Sequence, residues 1–269
     1  MSRAEEYYSN FGRWSIEEYV AEYVLKNPLE MGRFNAILEN IPHNVSTLLD
    51  IGCGPGVFLH RLEEQRGIKG IGIEITDRKI KYAQDILSVN VLKGNARHLP
   101  FRAEAFEVVT ALELIEHLPY DVYEETVEEI QRVSKKWIII SVPYCENRAY
   151  VTCPYCGAKF NPNYHLRSFD EERVKKIFSD FKMVKLEKAG VSFQLPQFFE
   201  KISGRLLKQT FPEFAVCPAC GYRNPVEGDI ALQKTTPSLT MQLLRRGSIC
   251  LKKRKRYSHL IVFYERRIG

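Results

Sequence analysis

Nine residues, Leu48-Leu49-Asp50-Ile51-Gly52-Cys53-Gly54-Pro55-Gly56, constrain the fold of this chain more than any others. Apolar residues run into an acid, three glycines follow at alternate positions, and Val57-Phe58-Leu59 comes next, which reads as a buried strand turning tightly into a helix. Glycine permits such a turn because it accepts positive φ and lets other groups approach the backbone closely. A dinucleotide site places its third glycine three residues after the second, so that a pyrophosphate sits on the helix terminus. Here Val57 holds that position and the third glycine comes one residue early, which argues against NAD. A second acid, Glu74, falls at the expected tip of the next strand, where a carboxylate accepts hydrogen bonds from ribose hydroxyls. Together these features read as a nucleoside site; the plainer alternative is a capping Asp50 and a solvated Glu74.

The surrounding sequence repeats strand, helix, strand. Strands are expected at 47–52, 68–74, 89–93, 106–112 and 137–142. Helices are expected at 57–66, after a cap at Asp77 (with Ile80, Ala83, Ile86 and Leu87 on one side), and from Asp121 and Glu124 through Val127, Ile130 and Val133. That alternation predicts an α/β fold, a parallel sheet with helices on both faces. The later strands are continuous apolar runs, as a sheet covered on both faces requires. Residues 1–44 read as a helical cap. Asn27 is its N-cap, Pro28 the first helical residue and Glu30 the third, and Met31, Phe34, Ile37, Leu38 and Ile41 form one apolar stripe. Tyr7, Tyr8 and Trp14 read as packing residues or as a lid over a ligand.

After Val142 the alternation breaks. A loop with a cysteine pair, a helix near 170–179 and a strand at 183–189 precede an insertion from 191 to 257, and a final strand spans 259–265. The resulting division is a cap at 1–44, a cofactor-binding core at 45–144, a first insertion with helix and sixth strand at 145–190, a second insertion at 191–257, and a last core strand at 258–269. Hydrophobic residues at 45% and charged residues at 27% suit a globular core. With no apolar run near the roughly 18 residues of a membrane span and no leader pattern at Met1, the expectation is a soluble, cytoplasmic protein without a membrane partner.

Segment 47–142 resembles the class I S-adenosylmethionine-dependent methyltransferases, in particular the branch whose first strand reads Leu-Asp-Ile-Gly-Cys-Gly-x-Gly. The likeness extends to Gly94-Asn95-Ala96 before Leu99-Pro100-Phe101 and to Glu113-Leu114-Ile115-Glu116-His117 after the fourth strand. Asn95 and Glu107 stand where that family usually has aspartate, and the Asn95 carbonyl still suits an adenine amine. The resemblance implies a Rossmann-like, mostly parallel seven-stranded sheet with helices on both faces, to which the two cysteine pairs add zinc-binding insertions in the C-terminal half. It also implies that Asp50, Gly52 and Gly54 line the methionine end of the cofactor, that Glu74 and neighbouring Ile75 hold the ribose, that Asn95 and Ala96 border the adenine, and that Glu113 lies near the sulfonium.

Two copies of Cys-Pro-x-Cys-Gly, at Cys153/Cys156 and Cys217/Cys220, each put two thiolates on a tight turn. Four sulfurs suit tetrahedral zinc, and a closed four-thiolate site is structural because it leaves no open position for chemistry. A redox role for either Cys-x-x-Cys is the alternative. Cys53, Cys145 and Cys250 fall outside the pattern.

The net charge of +6 decides little, but its distribution says more. Lys234, Arg245, Arg246, the run Lys252-Lys253-Arg254-Lys255-Arg256, Arg266 and Arg267 face the single acid Glu265 over that end, a track suited to several phosphates. With the zinc knuckles beside it, this favours RNA as acceptor: ribosomal RNA or a ribosomal subunit first, transfer RNA second. Zinc-bearing ribosomal RNA base methyltransferases share this plan by analogy. Ser141-Val142-Pro143-Tyr144 is similar to the Asp/Asn/Ser-Pro-Pro-aromatic tetrapeptide of amino-group methyltransferases, although Val142 replaces a proline and the segment follows the fifth strand. On that reading Ser141, Pro143 and Tyr144 are the catalytic set and a base amine, such as that of cytidine, is the target. His117 and His165 read as packing or loop hydrogen-bonding residues near the cleft. The competing readings are a small-molecule methyltransferase and a nucleic-acid-binding module without turnover.

Overall fold

The structure, a computed structural model, describes residues 14–146, 148, 150–194, 211–212, 215–223 and 254–267. Tyr7, Tyr8, Lys234, Arg245, Arg246, Cys250, Lys252 and Lys253 lie outside the described residues. Ser15 opens α1 (Ile16–Glu18) through a capping box, its hydroxyl accepting from the Glu18 amide while the Glu18 carboxylate accepts from the Ser15 amide. The chain continues through a π-helical stretch, Tyr19–Leu25, into α2 (Pro28–Asn40). There Asn27 is the cap, its side chain accepting from the Leu29 amide at 3.0 Å. Of the predicted stripe, Phe34, Ile37, Leu38 and Ile41 are buried and Met31 packs against them.

The core then follows in order: β1 (Leu48–Ile51), α3 (Val57–Arg66), β2 (Ile71–Glu74), α4 (Asp77–Asp85), β3 (Asn90–Lys93), β4 (Phe106–Leu112), α5 (Tyr120–Val133) and β5 (Ser134–Pro143). A small hairpin of β6 (Val151–Thr152) and β7 (Lys159–Phe160), a short α6 (Glu171–Val174), and the long strands β8 (Phe181–Gln194) and β9 (Arg254–Arg266) complete it. Two local expectations change. Thr76, not Asp77, is the cap of α4, because the helix already includes Asp77. The helix expected near 170–179 is a single turn capped by Asp170, whose side chain accepts from the Arg173 amide at 2.8 Å.

The main sheet runs β3-β2-β1-β4-β5-β9-β8. The first five strands are parallel, and β9 runs antiparallel to both β5 and β8. Alternate residues serve opposite layers, as the two-residue strand period demands. Leu48, Val108, Ile139, Ile261 and Phe263 join the core under α1, α2, α3 and α4. Leu49, Val109, Ile138, Ile140, Leu260, Val262 and Tyr264 join the opposite core with α5 and α6. Each large apolar side chain so buried contributes roughly 1.5–3 kcal/mol, which explains why the predicted strands are apolar throughout. Glu107, the departure from the family pattern, is structural: its carboxylate accepts from the Ser46 and Thr47 amides and the Ser46 hydroxyl, tying down the entry to β1.

Candidate functional site

Strand order reverses between β1 and β4, because the chain reaches β3 on one side and then crosses back to start β4 on the other. A crevice outside the carboxyl ends of the strands at such a reversal is where open α/β sheets bind ligands. The glycine turn sits there. The Gly52 and Cys53 amides donate to the Ile73 carbonyl at 2.7 and 3.1 Å, fastening the turn to β2. Gly54 has φ +57° with nothing within 4 Å of where a Cβ would stand, so the backbone there leaves open space for a ligand. Gly56 serves packing instead: a Cβ would stand 2.7 Å from Val89 Cγ2 and 3.0 Å from Ala83 Cβ.

Glu74 ends β2 with its carboxylate fixed from three sides. Oε2 accepts from the Gly54 amide at 3.0 Å, and Oε1 from the Ile75 and Thr76 amides, each at 2.9 Å. A carboxylate has about four acceptor positions, so capacity remains on Oε2 for a ribose hydroxyl. The Gly94 amide donates to the Glu74 carbonyl, which sets exposed Asn95 and half-buried Ala96 beside this strand tip. Asn95 Oδ1 accepts from the Arg97 amide at 3.1 Å and so closes a turn. Asp50 lies buried within β1, accepting from Thr110 Oγ1 at 2.7 Å. Burial pushes its carboxyl up to about 7.

At the tip of β4, Glu113 adopts φ +53°, a left-handed conformation rare for a side chain of its kind. It is the centre of a charge network. Ser141 Oγ donates to Glu113 Oε1 at 3.0 Å and accepts from Arg33 Nη1 at 2.7 Å. Arg33 Nη1 lies 3.7 Å from Glu113, Arg33 Nη2 pairs with Glu30, and His259 Nε2 lies 3.2 Å from Glu113 Oε2. Burial disfavours the charge on Glu113, but Arg33, His259 and Ser141 outweigh it and hold the carboxyl down at about 2. Burial likewise opposes charge on His259, and its hydrogen bond to Glu113 overcomes this and raises its pKa.

Of the three residues read as catalytic, Ser141 is fully buried with its hydroxyl inside this network, and its carbonyl accepts from the Glu113 amide at 3.0 Å. Pro143 ends β5 opposite His259. The Tyr144 hydroxyl donates to Glu171 Oε1 at 3.2 Å, and Lys188 Nζ lies 4.9 Å from its ring centre.

The four cysteines come together across the sequence. Cys153 and Cys220 sulfurs are 3.7 Å apart, Cys156 and Cys217 are 3.6 Å apart, and all four lie within 4.8 Å of one another. Sulfurs at about 2.3 Å from a tetrahedral ion sit roughly 3.8 Å apart, so this set fits one metal ion. The two knuckles match: the Gly157 amide donates to the Cys153 carbonyl at 3.0 Å and the Gly221 amide to the Cys217 carbonyl at 2.9 Å. Burial raises the Cys153 thiol, yet the Cys156 and Tyr155 amides outweigh it and draw it down to about 7. Tyr155 and Tyr222, one from each knuckle, stack at 6.3 Å.

Residues 48–136 match the family described as a methyltransferase domain. That segment is a methyltransferase domain. Among curated relatives of this domain, the norajmaline N-methyltransferase of Rauvolfia serpentina is 26% identical over 155 residues, 55% of this chain and 49% of the relative. The small RNA 2'-O-methyltransferase of Bombyx mori is 28% identical over 171 residues, 56% of this chain and 41% of the relative. The ubiquinone biosynthesis O-methyltransferase of Stutzerimonas stutzeri is 35% identical over 99 residues, 35% of this chain and 41% of the relative. The chain thus spans half or less of the length of these relatives. Among solved structures, a Thermotoga maritima S-adenosylmethionine-dependent methyltransferase aligns with TM-score 0.51 at 16% identity, covering 93% of this chain and 94% of that one. A chain from the complex between the Haloferax volcanii Trm112 methyltransferase activator and a methyltransferase aligns with TM-score 0.53 at 15% identity, covering 95% and 99%. At such identities these two show the fold.

Within the methyltransferase domain, the glycine turn and Glu74 meet as the sequence suggests. Arg33 and His259 were missed, although signals existed. Arg33 is the charged residue beside an apolar helical stripe, three after Glu30, and His259 immediately precedes the apolar run of β9. No helix among the described residues is long and apolar enough to cross a membrane.

Proposed function

We propose that the chain transfers the methyl group of S-adenosylmethionine to a base of ribosomal or transfer RNA, with the four cysteines holding a structural zinc. The observation that carries the transfer is the pairing, at one strand reversal, of a glycine turn hydrogen-bonded to the Glu74 carboxylate with an ionised Glu113 locked by Arg33 and His259. S-adenosylmethionine supplies the activated methyl when bound. Glu74 takes the ribose, open Gly54 admits the cofactor backbone-close, and Asn95 and Ala96 border the adenine. Glu113 places negative charge near the sulfonium, and Ser141 orients Glu113. Pro143 and Tyr144 shape the acceptor face. Orienting the acceptor nucleophile in line with the methyl-sulfur bond would contribute several kcal/mol or more, and a neutral amine would need no dedicated base, since it can lose its proton after transfer.

Cys153, Cys156, Cys217 and Cys220 would hold zinc, consistent with sulfur–sulfur separations of 3.7 and 3.6 Å. The basic run 252–256, whose last three residues open β9, supports RNA, as does similarity to a small RNA methyltransferase. A small-molecule acceptor is the second reading, favoured by the buried Arg33 that seats α2 beside Glu113 and by the alkaloid and ubiquinone relatives. Labelled methyl transfer to total RNA from cells lacking the gene, beside RNA from normal cells, separates them. Label in the deficient RNA alone supports the RNA reading; cofactor binding with no label in either RNA refutes it.

A further inference from the structure

Beyond the glycine turn and the cysteines, one more polar cluster lies in the loop after β4. We propose that Glu116, His117 and His165 bind a divalent transition-metal ion, separate from the four-thiolate site. One donor atom from each of the three lies within 4.8 Å of the others. Glu116 is fully buried, and neither of its carboxylate oxygens accepts a hydrogen bond from a described residue. A buried carboxylate left without a hydrogen bond is costly, and a bound cation offsets that cost. His117 Nε2 lies 3.8 Å from Glu116 Oε1, and the two imidazole rings meet edge to face at 4.7 Å.

The histidines are also held the way metal ligands are held. His165 Nδ1 lies 2.6 Å from Glu146 Oε2, and His117 hydrogen-bonds the Tyr164 backbone. Fixing one ring nitrogen on an oxygen acceptor orients the ring and raises the basicity of the other nitrogen, the usual arrangement around a ligating histidine. The Leu166 amide donates to the Glu116 carbonyl at 2.8 Å, so the two ligand-bearing loops are already joined. Two imidazoles and one carboxylate suit iron(II), manganese(II) or zinc(II) and leave positions for water, whereas four thiolates select a softer ion. The ion would clip the loop after β4, which begins with Glu113, to the segment that follows the first cysteine knuckle.

Manganese(II) is the probe, because it avoids thiolates and reports this site alone. The full chain, treated with chelator, is titrated with Mn2+ and the free ion followed by electron paramagnetic resonance. The same samples are tested for S-adenosylhomocysteine binding, so that failure of the metal site is distinguishable from failure of the cofactor reading. One Mn2+ bound per chain is expected, with affinity reduced tenfold or more in Glu116→Gln and His165→Ala, about tenfold in Glu146→Gln, and unchanged in Cys153→Ser. His165→Asn replaces any variant that does not fold. A chain that binds S-adenosylhomocysteine but no Mn2+ at millimolar concentration overturns the proposal, as does equal Mn2+ binding by the Glu116 and His165 variants; Glu116 then keeps a proton instead of an ion.

Discussion

Replacing Arg33 with methionine keeps the length and apolar stem of the side chain and removes its charge. Arg33 is 4% exposed, and Glu113, 3.7 Å away, is 21% exposed. Two charges at that separation attract by about 4.5 kcal/mol at an effective dielectric constant of about 20. The displacement of the Glu113 carboxyl from 4.5 to about 2 gives a similar size, roughly 3 kcal/mol at about 1.4 kcal/mol per unit. His259 and Ser141 retain part of that stabilisation, so Arg33→Met is expected to lower the unfolding free energy at pH 7 by about 2–4 kcal/mol. The pH dependence carries the sharper test. A carboxyl with a depressed folded pKa stabilises the protein above its unfolded pKa, and that stability fades as pH falls toward the folded value. At pH 3 the unfolded chain has taken up the proton, and only about 1.4 kcal/mol of the Glu113 contribution survives. The difference between wild type and variant in urea unfolding should therefore shrink from pH 7 to pH 3, by up to about 2 kcal/mol if Arg33 accounts for the whole shift. A difference that stays constant across that range, or one below about 1 kcal/mol at pH 7, refutes the role given to this pair.

Glu74→Gln preserves shape while removing the charge and the acceptor of the Gly54 amide, so the melting temperature should fall, and calorimetry on the folded variant should show S-adenosylhomocysteine binding weakened by about ten- to a hundredfold. Asp50→Asn acts through pH in the opposite sense. A buried acid whose pKa rises from 3.8 to about 7 keeps a proton that the unfolded chain releases, so wild type loses stability as pH climbs through that window. The variant, still able to accept from Thr110, should melt higher than wild type at pH 8 and equally at pH 4. Chelation, or Cys153→Ser, should release one zinc per chain by mass spectrometry and alter the near-ultraviolet dichroism of the Tyr155–Tyr222 stack while leaving S-adenosylhomocysteine binding intact.

The cofactor half of the fold was legible because each of its signals is local. The glycine turn, the apolar strands and the stripe of α2 all follow from spacing within ten residues or so, and the structure places them within three residues of expectation. The end of β8 and the start of β9 were not legible, since the pairing of Phe181–Gln194 with Arg254–Arg266 bridges a long intervening segment and owes little to either strand alone. The charge network was hidden for the same reason. Arg33, Glu113, Ser141 and His259 sit far apart in sequence, and only the sheet order brings β4, β5 and β9 side by side. Ser141 shows the limit of motif reading: its place after a strand suggested contact with an acceptor, whereas its hydroxyl lies between two charged side chains.

The position of β9 has a consequence for how the protein is made. Because it separates β5 from β8, the sheet cannot close in the order in which the strands emerge during synthesis. Until residues 254–266 exist, β5 presents an unpaired apolar edge and β8 has no neighbour, the kind of surface on which nascent chains aggregate. His259 arrives on that same strand, so the step that seals the edge also delivers the cation facing Glu113. A chain cut short before β9 would therefore lack its folded edge and the His259 partner of Glu113 together.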